Sequence, residues 1–223
     1  MARPRLLVFA SGSKNGGGSG FEKMAEASRN EILDADIVAV VSNHLNGGVR
    51  ERALRLAVPF SGFDGIWTRL EYKSVVQFYK PDFIALSGWL KQAVGLDPRI
   101  TFNVHPGPLP WFGGKGMYGH HVHEAVLRAY LDARKEDEEI RSAVSMHFVT
   151  EEYDQGPVFF RIPVTILPTD TPETLGQRVN WMEHYFQPRI TNLVCQGQIS
   201  WDGVDPKSLR LPEGYQFLRN RLE

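Results

Sequence analysis

Asn103 and His105, in the stretch Thr101-Phe102-Asn103-Val104-His105-Pro106-Gly107-Pro108-Leu109-Pro110, have the types and spacing of a pair that can stabilise developing negative charge. An apolar strand, Ile100 to Val104, runs straight into this turn. Side chains alternate along a strand, so Asn103 and His105 face the same way at its end. A carboxamide donates hydrogen bonds, and so does a protonated imidazole. Pro106, Pro108 and Pro110 each fix φ and disfavour helix in the residue before. The loop is therefore stiff, which suits a site that must hold geometry.

A second chemistry is written near the N-terminus. Ser11-Gly12-Ser13-Lys14-Asn15-Gly16-Gly17-Gly18-Ser19-Gly20 lies between the apolar run Leu6–Ala10 and a segment with Phe21, Met24, Ala25, Ser28 and Ile32 at helical spacing. Strand, glycine-rich loop and helix together bind phosphate on backbone amides at a helix N-terminus. Lys14 adds a point charge. No Gly-Lys-Ser/Thr precedes the helix, so this is not a Walker A loop, nor is it a clean dinucleotide fingerprint.

Other chemistries find less support. His120, His121 and His123 cluster at a helix start, but no acidic or cysteine partner has a ligand-like spacing, and adjacent helical residues point apart. No metal is expected. Cys195 is the only cysteine and lies near a helix end, and no Gly-x-Ser-x-Gly is present, which argues against a thiol or serine nucleophile. A lone cysteine also excludes an intrachain disulfide and points to a reduced, cytoplasmic compartment. A formal net charge of −1 argues against a general nucleic-acid binder. No apolar run has the length of a membrane span, and the N-terminal one is too short for a signal peptide.

The elements that must position these residues read as alternating strands and helices. Strands are expected at 6–10, 37–41, 82–86 and 100–104, with a short extended piece at 58–60. Helices are expected from Gly20 or Phe21, over 49–57, and over 70–79. This pattern implies an α/β fold: an open, mostly parallel, Rossmann-like sheet with helices on both faces. Ligands of such sheets collect at the carboxyl ends of the strands, where the glycine-rich loop, Gly88-Trp89-Leu90 and Asn103/His105 all fall. Ala143–Thr150 and Val158–Val164 read as a closing antiparallel hairpin. The run Arg134–Glu139 reads as a solvated segment. A last helix opens with Thr171 as N-cap and Pro172 at its first position, bends before Pro188 and stops at Gly197. Ile199–Trp201 suggests a short strand. One domain spans 1–223, with a core of about 5–201 and an irregular tail over 203–223.

Asn103-x-His105-Pro106-x-x-Leu109-Pro110 with Gly113-Gly114, followed downstream by His147-Phe148-Val149-Thr150-Glu151-Glu152-Tyr153-Asp154-Gln155-Gly156-Pro157, resembles the signatures of the folate-dependent formyltransferases. The resemblance runs from Arg5 to about Gly197. It implies 10-formyltetrahydrofolate as co-substrate and direct attack by an amine, with Asn103, His105 and Asp154 as the catalytic trio. Asp154 would sit close to His105, raise its pKa and fix its ring. Folate would be lined by Trp89, Leu90, Lys91, Gln92 and Ala93, with Asn103, Thr150, Glu151, Tyr153 and Asp154. Trp89 and Leu90 read equally well as ordinary core.

Within the family, the branch acting on 5'-phosphoribosylglycinamide (GAR) is most similar. There the loop form Ser-Gly-x-Gly-Ser-Asn holds a phosphate. Ser11-Gly12 and Gly18-Ser19 match it around an insertion, while Gly20 stands where asparagine is expected. Ser13, Lys14, Gly18, Ser19 and Gly20 are thus implied for the phosphate, and Glu183 of Glu183-His184 for the ribose. Small-molecule substrates are the expected partners, and the sequence leaves monomer and homodimer both open. The residues leave open transfer to another small amine such as a sugar nucleotide, delivery of the formyl group to water, or a nucleotide-binding module without turnover.

Overall fold

The computed structural model describes residues 2–14, 16–133 and 140–218. Its centre is a seven-stranded sheet in the order β3-β2-β1-β4-β5-β6-β7. The strands are β1 (Arg5–Phe9), β2 (Asp36–Ser42), β3 (Phe60–Gly62), β4 (Phe83–Ser87), β5 (Thr101–His105), β6 (Ser142–Phe148) and β7 (Val158–Val164). β1 to β5 pair in parallel, and β6 and β7 close the sheet antiparallel. This is the expected open sheet with its terminal hairpin.

β1 occupies the middle because it is apolar on both sides. Leu6 and Val8 face one core cluster and Leu7 and Phe9 the other, as a parallel strand covered on both faces requires. The first cluster receives α1 (Ser19–Arg29), α2 (Gly48–Arg55), α4 (His120–Ala133) and α5 (Pro172–Cys195). The second receives only α3 (Arg69–Tyr79), whose Tyr72 packs with Trp67, Phe9 and Trp89 at centroid distances of 5.1 to 6.4 Å. The two faces are therefore unequally covered. α3 reaches β1, β2 and β4, while over β5 and β6 the same face has no helix among the described residues.

That bare shelf carries Asn103 and His105, paired in register with His147 and Ser145. Loops cover it instead. Ser145 donates its hydroxyl to Gly107 O at 2.7 Å and accepts from Leu109 N at 3.2 Å, pinning the proline-rich turn to the sheet.

Several boundaries differ from expectation. α1 starts at Ser19, because Gly18 takes a left-handed conformation (φ 81°) and ends the loop there. α5 continues across the buried Pro188 from Thr171, its N-cap, to the left-handed Gly197. Tertiary packing on both sides of Pro188 holds the helix together despite the lost donor. The expected strand at 199–201 is one bridge, Ser200 to Arg210. The charge run at 134–139, Asn15 of the loop insertion and the end of the tail from 219 lie outside the described residues.

Candidate active site

The carboxyl ends of β1, β4 and β5 open on a cleft of about 760 Å³. It is bounded by the start of α1, the segment after β4, the 114–120 loop, the 149–154 loop and one face of α5. Of the sequence-expected residues, Asn103, His105, Asp154, Gly18, Ser19, Gly20, Glu183, Trp89, Leu90, Lys91, Gln92, Ala93, Thr150, Glu151 and Tyr153 line this one space. Ser13 and Lys14 do not. Ser13 is turned back into its own loop, donating from N to Gly16 O at 2.8 Å.

Asn103, His105 and Asp154 converge at the cleft floor. Asp154 holds a left-handed conformation (φ 56°) that an L residue adopts only under constraint. Its Oδ2 accepts from Gly114 N at 2.9 Å and lies 3.7 Å from His105 Nδ1. Its Oδ1 lies 3.3 Å from His147 Nε2. A Cβ at Gly113 would come within 2.4 Å of Leu109 Cδ2 and 3.0 Å of Asp154 Cβ. Only glycine lets the loop press this closely on the carboxylate.

His105 donates from Nε2 to Phe112 O at 2.7 Å, which leaves the Nδ1 lone pair toward Asp154. The ring is 3 % exposed. Burial lowers its pKa from the ordinary value, and this outweighs the opposing pull of Asp154 and Phe112 O. The expectation of a raised pKa and a protonated donor is thus corrected: desolvation wins, and the ring favours its neutral form. Asp154 behaves differently. Burial pushes its carboxyl up, but the contact with His147, the nearby His105 and the Gly114 amide together bring it below the ordinary value.

His147 completes the cluster and was not singled out by sequence reasoning. It donates from Nδ1 to Phe148 O at 2.8 Å, leaving Nε2 to face both Asn103 Nδ2 (3.2 Å) and Asp154 Oδ1. Uncharged, that nitrogen accepts from the Asn103 amide; charged, it donates to the carboxylate. The signal was available. Alternation along β6 puts His147 on one face with Ser145, and antiparallel pairing with β5 sets it opposite Asn103.

At the other end of the cleft, α1 begins with no side-chain cap, so its first amides are free of intrahelical partners. Ser19 Oγ is 3.1 Å from His184 Nε2. Beside it, burial pushes the Glu183 carboxyl up to about 7, against a hydrogen bond donated by Asn180 Nδ2 at 3.2 Å.

The remaining wall is partly structural. Trp89 donates from Nε1 to Tyr72 Oη at 2.8 Å inside the aromatic cluster. Leu90 is exposed, with its amide donating to Ser11 Oγ at 2.9 Å. Gln92 Nε2 donates to Glu151 O at 2.9 Å, and the Glu151 carboxylate is paired with Arg69. The histidines of α4 divide: His120 contacts Glu124 (3.1 Å) and Glu173 (3.6 Å), His121 contacts Glu124 (3.6 Å), and His123 is buried. Glu124, at i+4 from His120 and i+3 from His121, is an acidic partner at helical spacing, against the expectation that none had a suitable one, and Glu173 is brought in by α5. Among the described residues no group of three His, Cys, Asp or Glu is placed to hold a metal ion.

The chain is similar to proteins of known family. The formyl transferase family model matches residues 4–191. The chloroplastic phosphoribosylglycinamide formyltransferase of Arabidopsis thaliana is 36% identical over 216 residues, covering 91% of this chain and 70% of that protein. The phosphoribosylglycinamide formyltransferase of Escherichia coli (strain K12) is 27% identical, covering 83% of this chain and 86% of that one. The solved glycinamide ribonucleotide transformylase 1 from Geobacillus kaustophilus superposes with a TM-score of 0.71 at 28% identity, covering 86% of this chain and 99% of its own. A match to the family model over most of its length, and a relative more than a third identical, place this chain in the formyl transferase family.

Proposed function

We propose that this protein transfers the formyl group of 10-formyltetrahydrofolate to the amine of 5'-phosphoribosylglycinamide, its relatives being named phosphoribosylglycinamide formyltransferases. The observation that carries this reading is the convergence of Asn103, His105 and Asp154 at the floor of a cleft whose rim holds the uncapped start of α1. An amide, an imidazole and a carboxylate suit acyl transfer to an amine. The helix start suits a phosphate ester.

The acceptor's phosphate sits on the first amides of α1 and its ribose against Glu183. The folate lies between the 89–93 segment and the 150–154 loop. The neutral amine attacks the formyl carbon, and the carbonyl oxygen becomes an oxyanion. Asn103 has one N–H held toward His147 and gives the other to that oxyanion. The loss of one such donor typically costs ~100–1000-fold in rate. The nitrogen's proton passes to the Nδ1 lone pair of neutral His105, whose other nitrogen is anchored on Phe112 O. The resulting imidazolium is stabilised by the ionised Asp154 beside it. When the intermediate collapses, the bond from the formyl carbon to folate N10 breaks. The same proton goes to N10. No side-chain nucleophile is required, and no metal enters the scheme.

We assign this chemistry to one catalytic domain over 1–223 that works on small molecules, as a monomer or homodimer in a reduced, cytoplasmic setting. Cys195 is buried, with its thiol pushed up to about 12, which fits a cysteine without a chemical role. Among the described residues no helix is long and apolar enough to cross a membrane.

Incubation with 10-formyltetrahydrofolate, with and without GAR, tests the proposal. Tetrahydrofolate released only in the presence of GAR supports it. Release without GAR indicates a hydrolase, release only with an amino-sugar nucleotide a different acceptor, and no release under any condition a binding module.

A further inference from the structure

The corner of the cleft beside Gly20 is built from a second element. A Cβ at Gly20 would lie 2.3 Å from Ser87 Oγ and 3.0 Å from Gln187 Oε1. The place where a side chain at position 20 would stand is therefore held by these two residues, which accounts for glycine there. Ser87, at the end of β4, donates its hydroxyl to Gln187 Oε1 at 3.3 Å. Gln187 projects from α5, is 2 % exposed and lines the cleft. With its oxygen turned to Ser87, its Nε2 has no hydrogen-bond partner among the described residues. That donor is not among the fully buried atoms left without a partner, so it opens on the cleft. It stands next to the first turn of α1, whose N-cap, Gly18, provides no side-chain cap. Two independent sets of free donors, one main-chain and one side-chain, meet at the same corner.

We infer that Gln187 is a phosphate-binding residue: its Nε2 donates to the phosphate monoester of the acceptor substrate beside the α1 amides, and Ser87 orients it. This rests on the reading of the cleft as a GAR site. It adds a neutral, directional donor supplied by α5 beside Gly20, which has no side chain to offer. Ser87 precedes the 89–93 segment assigned to the folate, whereas Gln187 projects from α5 beside Gly20, so the donor itself serves the phosphate end of the cleft.

The test uses Gln187→Glu in the full-length protein, a change that preserves shape and an acceptor for Ser87 but replaces the free donor with an anion. KM for GAR should rise about tenfold or more, as expected when a hydrogen bond to a charged group is lost and a like charge is added. KM for 10-formyltetrahydrofolate should stay within about twofold. With the dephosphorylated acceptor, glycinamide riboside, variant and wild type should show the same KM. A KM for GAR within twofold of wild type overturns the inference, and so does an equal loss on the phosphate-free acceptor. Wild-type protein that fails to use GAR at all removes the underlying reading as well. Should Gln187→Glu not fold, Ser87→Ala leaves the carboxamide in place but unoriented. It should raise KM for GAR about threefold, and an unchanged value overturns the assignment.

Discussion

At the scale of the residue, burial decides the chemistry of the cleft floor. His105 is held below its ordinary pKa by desolvation even though a carboxylate lies 3.7 Å away. Its neutral form is the one that the proposed mechanism uses to accept the amine's proton. Activity should therefore fall on the acid side only below about 6.5, the ordinary value, as read by kcat/KM against pH. His105→Ala or Asp154→Ala should each lower kcat by roughly a thousandfold while the far-ultraviolet circular dichroism stays native. A near-normal kcat in either variant contradicts the assigned roles. Glu183 carries the opposite shift. Its folded pKa is raised from 4.5 to about 7, so the folded state binds more protons than the unfolded state between those values. Stability should thus fall as pH rises from 4.5 to 7 and then level off, by no more than about 3 kcal/mol. Glu183→Gln should flatten that slope in chemical denaturation, and an unaltered slope would show that Glu183 is not its source.

At the scale of the element, the site depends on loops and on one long helix. α5 presents both Glu183 and Gln187 to the cleft. It is started by Thr171, whose Oγ1 accepts from Thr174 N at 3.3 Å while Thr174 Oγ1 accepts from Thr171 N at 2.9 Å. Thr171→Ala should cost about 1 kcal/mol in urea denaturation, with little change in KM for folate. Gly113→Ala belongs to the same scale. The added methyl would meet Leu109 and Asp154, so kcat should drop at least tenfold with a smaller change in Tm. Element types and order were legible in the sequence, because apolar runs and helical spacing mark them directly. So were Asn103 and His105, since strand alternation alone puts them on one face. Asp154 was placed by motif, and its left-handed backbone could not be read from its neighbours. The direction of the His105 shift was misjudged because burial depends on the covering loop, and local sequence reports only the adjacent charge. His147, Ser87 and Gln187 were missed for a related reason. Each acts through a partner 44 to 100 residues away in the chain, and such pairings emerge only when strand order and helix placement are known.

At the scale of the whole molecule, the asymmetric covering of the sheet creates the site. Among the described residues, four helices pack on one face, while α3 alone on the other leaves β5 and β6 to loops. Polar side chains on that shelf are therefore desolvated by loops that also border a cleft open to small molecules. The proposed phosphate-binding corner and the proposed reacting centre lie at the carboxyl ends of neighbouring strands of one sheet, where open α/β folds collect ligands. The most direct measurement is the rate of tetrahydrofolate formation from 10-formyltetrahydrofolate by the purified protein, with and without GAR. Formation that depends on GAR and yields one formylated product per tetrahydrofolate is expected. Equal formation without GAR, or none with it, would contradict formyl transfer to this acceptor.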